Sequence, residues 1–250
     1  NFTFSRPDFS FQVLETKCNN NAVFEGCRFT NCASNSIRLV TQSNVENPIG
    51  TFVFRNNYVK SNQGCLILGG KLRSKPIIEN NIIESTTLNN SYLISITHDQ
   101  KEIELHNNTF SHITNDNGNT NSYGGGTCIS LRSSNPEYTI KFTLCKFYDN
   151  INNEETTPNC HGGSIEYGFS NEAEAHIEFD ECEFKNNQAK SGHGGSIAIR
   201  TSKSVSIRGC IFESNTANNE ASISHLLFNN HYDEKGKGYG GAIYINPSFH

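Results

Sequence analysis

The sequence predicts an all-β chain: a right-handed single-stranded parallel β-helix, a solenoid of about seven rungs with three short strands per rung. Three observations lead there. A motif recurs along the chain at intervals of 24 to 37 residues. Each repeat contains three short runs in which apolar and polar residues alternate, the signature of strands with one face inside. Hydrophobic residues make up only 34% of the 250 residues, while Asn reaches 35 and Met and Trp are absent. That composition suits a thin core with many turns better than a thick sandwich or a doubly wound sheet. Disorder is the wrong reading, because 17 Phe and many Ile recur in regular bursts.

Taken in order, the lead-in 1–21 holds Phe9-x-Phe11-x-Val13 and is expected to form an incomplete first rung or cap. Four weaker copies follow: Phe24…Cys27-x-Phe29, Phe54…Asn57-x-Val59, Ile78…Asn81-x-Ile83 and Leu105…Asn108-x-Phe110. Three clear copies come next, Phe142…Cys145-x-Phe147, Phe179…Cys182-x-Phe184 and Ile207…Cys210-x-Phe212. The anchors Cys27, Asn57, Asn81, Asn108, Cys145, Cys182 and Cys210 are therefore expected to form one vertical stack of inward side chains. Within a unit the inward phase slips by one between Phe142 and Cys145, so a two-residue bend separates the first two strands. Asn at the anchor can bond backbone around that bend, tolerate αL geometry there, and bond the next Asn along the stack. No 11-residue window keeps the i, i+3, i+4, i+7 pattern of a helix.

The third strand opens on Gly-Gly in the clear copies: Gly162-Gly-Ser-Ile165, Gly194-Gly-Ser-Ile197 and Gly240-Gly-Ala-Ile243. Gly permits φ > 0 where the chain turns sharply. Between second and third strands the segments 114–123, 151–161, 188–193 and 216–239 read as loops on one edge of the rod. Of these, 216–239 is a long inserted loop. The last strand, Ile243–Ile245, ends in mid-rung, and with no initiator Met or signal peptide the chain is expected to be part of a longer polypeptide. One β-helix domain over 1–250 is the expectation.

Phe147-Tyr-Asp-Asn150, Phe184-Lys-Asn-Asn187 and Phe212-Glu-Ser-Asn215, combined with Gly240-Gly-Ala-Ile243 and its Ser variants, resemble the FxxN and GGAI repeats of the chlamydial polymorphic membrane proteins and of related surface proteins in parasitic protists. The match covers about residues 140–245. The resemblance implies a surface-displayed or secreted β-helical stalk of the pectin lyase-like shape, often adhesive, whose partner is a host or cell-surface protein or carbohydrate. The bacterial proteins' C-terminal membrane barrel has no counterpart in this segment.

The chemistry-bearing residues fit a role without catalysis, cofactor or metal. The nine Cys contain no Cys-x-x-Cys. Stacked anchors in parallel strands point the same way, which favours buried thiols over bridges, with Cys160 the loop residue best placed for an occasional disulfide. Outward acids are expected not to cluster but to form ladders: Lys141 on Glu178, Lys146 on Glu183, Lys185 on Glu213. The outward position of the third strand reads Glu166, Ala198, Tyr244, which makes no active site. Gly192-His193-Gly194 matches a fragment of the polygalacturonase pattern without its acids, and Tyr123, His161 and Tyr239 occupy the same bend as His193. Glu154, Glu155, Asp233 and Glu234 lack the spacing of a Ca²⁺ loop.

The segment 222–228 is too apolar for a free loop and is expected to pack back on the rod or to help form a partner-binding patch. His225, Leu226, Leu227, Phe228, His231 and Tyr232 form a candidate partner-binding loop. A net charge of −5 without a basic block argues against nucleic acid, and no run approaches the ~18 apolar residues of a membrane span. Sequons occur at Asn1, Asn89 and Asn107. The rival readings are a carbohydrate-active enzyme of the lyase or glycoside-hydrolase kind, which needs converging carboxylates, and a mechanical spacer.

Overall fold

The computed structural model describes residues 3–4, 11–14, 21–32, 37–40, 50–61, 65–69, 72, 74–85, 87–88, 93–98, 100–115, 129–133, 137–153, 162–167, 175–190, 193–199, 202–217 and 241–245. Every strand pair among them is parallel, and each strand pairs with its equivalent one repeat away. The result is a right-handed parallel β-helix. Its first face has seven strands, from Ala22–Glu25 to Ser204–Arg208, and its second has eight, from Thr3–Phe4 to Ile211–Glu213. The third runs from Phe11–Leu14 to Ile129–Ser133 as five strands, with a separate group of three at Ile165–Tyr167, Ile197–Ile199 and Ile243–Ile245.

A fourth face departs from the expected three strands. Thr114–Asn115, Ile151–Asn152, Gln188–Ala189 and Thr216–Ala217 form a sheet of their own, at the start of each segment that reads as a loop. Two residues are too few to show alternation, so the pattern in sequence carries no sign of them. They follow a second sharp corner, at which His112, Asp149, Asn186 and Ser214 all have φ near +55°.

Alternation sets what lies inside. On the first face the burial of Tyr138–Thr143 and Ala175–Asp180 alternates strictly, with Phe142 and Phe179 inward. On the second face Phe110, Phe147, Phe184 and Phe212 stack with ring centroids 5.0, 4.8 and 4.9 Å apart. The two columns meet edge to face, Phe142 on Phe147 at 6.0 Å and Phe179 on Phe184 at 5.8 Å. A strand spacing of about 4.8 Å lets flat rings lie one above another with offset-stacked contact. In these two rungs the aromatic pair fills the core, while Ile78 and Ile83, or Leu105 with Phe110, do so in rungs above.

The bend between first and second faces is where expectation and structure differ in detail. The left-handed residue is the one before the anchor: Gly26, Asn56, Asn80, Asn107, Leu144, Glu181 and Gly209 have φ between 49° and 60°. Left-handed geometry crowds Cβ against the following carbonyl, at roughly 1–2 kcal/mol for most residues, less for Asn. Leu144 bears that cost and is also 39% exposed. Leu144→Asn, which restores the residue type found at Asn107 one rung above, is expected to stabilise the fold by up to about 1 kcal/mol. A urea-denaturation midpoint that does not rise refutes this.

Candidate functional site

All seven anchors fall in one column. The register pairs Arg28 with Tyr58, Tyr58 with Ile82, Ile82 with Thr109, Thr109 with Lys146, Lys146 with Glu183 and Glu183 with Ile211. Each anchor sits one residue earlier and is aligned likewise. The backbone N–H groups of Cys27, Asn57 and Asn81 donate to the Oδ1 of the next Asn at 2.9 to 3.1 Å. The Asn57, Asn81 and Asn108 amides donate to the carbonyls of Phe24, Phe54 and Ile78. Asn-to-Asn bonds, at 3.1 and 2.8 Å, complete the ladder.

Where Cys takes over, the thiol makes the same two contacts more weakly. Cys145 Sγ donates to the Leu105 carbonyl at 3.1 Å and Cys182 Sγ to that of Phe142 at 3.3 Å, while the Cys182 N–H donates to Cys210 Sγ. Cys27, Cys65, Cys145, Cys182 and Cys210 are thiols outside any disulfide; Cys160 lies outside the described residues. The hydrogen bond with Cys145 and burial together outweigh the opposing contact with Cys210, so the Cys182 thiol is pushed up to about 12 from 9.0. Between those values the folded chain holds a proton that the unfolded chain has lost, so this thiol's contribution is full below about pH 9 and declines as pH rises towards 12. The stability difference between wild type and Cys182→Ser, measured by denaturant titration, is expected to be flat up to pH 9. Above that it should move against the wild type, and a flat difference to pH 11 contradicts it.

A second buried ladder went unread in sequence although its residues belong to the FxxN motif. Asn150, Asn187 and Asn215 accept from the N–H of Ile113, Asn150 and Asn187 and donate to the carbonyls of Phe110, Phe147 and Phe184. Both ladders turn corners; their polar atoms are consumed by backbone and offer nothing to a substrate.

Outer faces carry the accessible chemistry. Lys141 faces Glu178, Lys146 faces Glu183, and Lys185 faces Glu213 in register. Lys185 lies 3.5 Å from both Glu183 and Glu213, and Arg208 lies 3.7 Å from both Glu178 and Asp180. Arg55 bridges Glu25 at 3.0 Å and Glu79 at 3.9 Å. Tyr148 donates to Glu183 at 2.6 Å; burial and that contact raise the phenol, and the same bond lowers the carboxyl.

The expectation that acids do not converge is wrong at one place. Lys75 Nζ bonds Glu102 at 2.5 Å and Glu104 at 2.9 Å, and Thr143 donates to Glu104 at 2.8 Å. Glu104, Glu79, Lys75 and His106 line a groove together with Pro76, Ile77 and Ile78, with His106 3.9 Å from Glu104. Glu102, Glu104 and His106 alternate along one strand and so share its outer side. That alternation was legible; Lys75, in the bend before the preceding rung's strand, was not. Burial works to raise the Glu104 carboxyl, but the Lys75 and Thr143 bonds outweigh it and hold it low. The Lys75 ammonium is raised, its two carboxylate bonds outweighing burial. Glu104 is thus held in its charged form beside Lys75, the opposite of a carboxyl kept protonated as a general acid.

On the third face Ala198 stands in register between Glu166 and Tyr244, as read, but is fully buried, and Tyr244 packs on the His193 ring at 4.5 Å. His193 thus serves as a packing partner at the Gly-Gly corner, and its carbonyl accepts the Gly162 N–H at 2.8 Å. His225, Leu226, Leu227, Phe228, His231 and Tyr232 lie outside the described residues, as do Glu154, Glu155, Asp233 and Glu234. Among the described residues no three His, Cys, Asp or Glu are grouped to hold a metal, and no helix is long and apolar enough to cross a membrane.

Neither the curated proteins nor the solved structures yield a match to this chain. A family model described as right-handed beta helix region matches residues 12–110, the part in which the anchors are Cys27 and the three Asn.

Proposed function

We propose that this chain is a non-catalytic β-helical segment of a secreted or surface-displayed protein, with a structural and adhesive role towards a cell-surface protein or carbohydrate. The observation that carries the reading is how the polar chemistry is used. Inside, Asn and Cys ladders are spent on the backbone from rung to rung. Outside, Arg55, Lys75, Lys185 and Arg208 each pair with two carboxylates. Among the described residues the carboxyls whose titration moves, Glu104, Glu137 and Glu183, all move down. The FxxN and GGAI resemblance supplies the surface setting. Binding of the purified chain to arrayed cell-surface glycans and to intact cells tests the reading; an absence of binding leaves a spacer and defeats adhesion.

The groove at Lys75 favours one second reading, a carbohydrate-active site using Glu104 and Glu102. Incubation with acidic and neutral polysaccharides, followed by reducing-end and unsaturated-product assays, separates the two. On the adhesive reading turnover stays at the buffer background and Glu104→Gln changes nothing. Product formation abolished by Glu104→Gln transfers the assignment to the enzyme.

A further inference from the structure

We infer that Asn107 is an attachment site for an N-linked oligosaccharide. The inference rests on the secreted or surface-displayed setting proposed above, and its carrying observation is independent of that setting. The sequon Asn107-Asn108-Thr109 straddles the bend between the first and second faces. Its middle residue, Asn108, is fully buried in the anchor ladder. Its first residue is exposed in the left-handed conformation, φ 49°, so the bend turns the two neighbouring Asn side chains in opposite directions. One supports the rod; the other stands on its outer corner.

Most of Asn107's polar atoms are compatible with the modification. Its backbone N–H donates to the Thr143 carbonyl at 2.8 Å and does not involve the side chain. Its Nδ2 donates to Asn80 Oδ1 at 2.7 Å. A primary amide nitrogen has two hydrogens and a glycosylated one retains one, so the bond to Asn80 can persist after transfer. In the transfer, Nδ2 forms a bond to C1 of the first N-acetylglucosamine of a lipid-linked oligosaccharide. The bond from C1 to the pyrophosphate oxygen breaks, the lipid pyrophosphate leaves with the electron pair, and Nδ2 gives up one proton.

The corner column around Asn107 suits a sugar. Above lie Asn80 and Asn56, exposed and polar; below lies Leu144, exposed, offering an apolar patch on which a pyranose ring can rest. Of the equivalent corners only Asn56 and Asn80 also carry Asn, and there the residue after the anchor is Tyr58 or Ile82, where Asn107's rung has Thr109; the others have Gly26, Leu144, Glu181 or Gly209 in place of the Asn. The helix would carry its sugar on the ridge between two faces, leaving the faces open. Such a bulky hydrophilic group on one ridge also discourages side-by-side association of rods there.

The test uses the full chain secreted from a eukaryotic host behind an added signal sequence, with the folded product purified and Asn107 read by peptide mass spectrometry after enzymatic glycan release in heavy-oxygen water. The expected result is conversion of Asn107 to labelled Asp, lost in Thr109→Val and kept in Thr109→Ser. Valine is β-branched like threonine, so the strand is preserved, and neither variant touches the left-handed corner. An unmodified Asn107 in the secreted folded protein, or a label that survives Thr109→Val, overturns the inference. A glycosylated chain that adheres to nothing defeats the adhesive reading alone, and an adhesive chain bare at Asn107 defeats this one alone.

Discussion

Gly163→Ala is expected to cost the fold about 4 kcal/mol or more, in the range where single substitutions become diagnostic. A Cβ at Gly163 would stand 2.0 Å from the Gly195 carbonyl oxygen and 2.6 Å from the Gln188 backbone nitrogen. Both obstacles are main chain in the next rung, and the Gly163 N–H itself donates to the Gly194 carbonyl at 3.1 Å. A flexible side chain could swing away; a paired backbone moves only by opening the coil. Gly195 repeats the arrangement against Gly241, at 2.0 Å, so a shift forced at one rung is handed to the following one. Gly209 supplies the contrast. Its φ of +60° disfavours Ala, but the nearest obstacle is the Glu181 side chain at 3.2 Å, so Gly209→Ala should cost only about 1 kcal/mol. Guanidinium titrations followed by circular dichroism measure both. A Gly163→Ala variant as stable as Gly209→Ala would refute the close approach of rungs.

The contrast between these two glycines also shows what the sequence could and could not convey. The Gly-Gly pairs advertise a sharp corner, and Gly162 and Gly194 do turn it with φ of +71° and +67°. The second glycine of each pair is there for the lack of a Cβ, a fact about the neighbouring rung that no local rule contains. The same holds on the outside. Cys145-x-Phe147 and its equivalents give the period, the phase and the inward Phe columns, because alternation within five residues is a local property. The cluster of Lys75 with Glu102 and Glu104 joins residues 27 and 29 positions apart, and becomes legible only when the bend before Ile77 is placed. Asn at the anchor itself tolerates left-handed geometry and so drew the bend one residue late, and Leu144 and Glu181, which run against residue preference, break the Gly and Asn column that marks the true position. Alternation also gives the column of Glu166, Ala198 and Tyr244, but not that Ala198 is fully buried there, because burial depends on neighbours outside its own strand.

Asn81→Ala, at the centre of the anchor column, is expected to destabilise the rod by about 3–5 kcal/mol. The side chain accepts from the Asn57 N–H at 3.0 Å and from the Asn57 amide at 3.1 Å, and donates to the Phe54 carbonyl at 2.9 Å and to Asn108 Oδ1 at 2.8 Å. Asn81 is 1% exposed, so water cannot replace these partners, and each buried group left unpaired costs about 1–3 kcal/mol. Asn81→Asp separates the two halves of the role. A carboxylate still accepts from Asn57, but turns an acceptor towards the Phe54 carbonyl and buries charge, so it should be at least as damaging as Ala. Asn81→Cys should fall between wild type and Ala, because at Cys145 and Cys182 the rod already uses a thiol to donate to the matching carbonyl, at 3.1 and 3.3 Å. The predicted order of denaturation midpoints is thus wild type, Cys, Ala, with Asp level with Ala or lower. If Cys ranks with Ala, the thiols of the lower rungs are space-fillers and the corner is held by backbone pairing alone. If Cys ranks above it, Asn and Cys are two solutions to one hydrogen-bonding demand, which explains how a single column can change chemistry between Asn108 and Cys145 without changing shape.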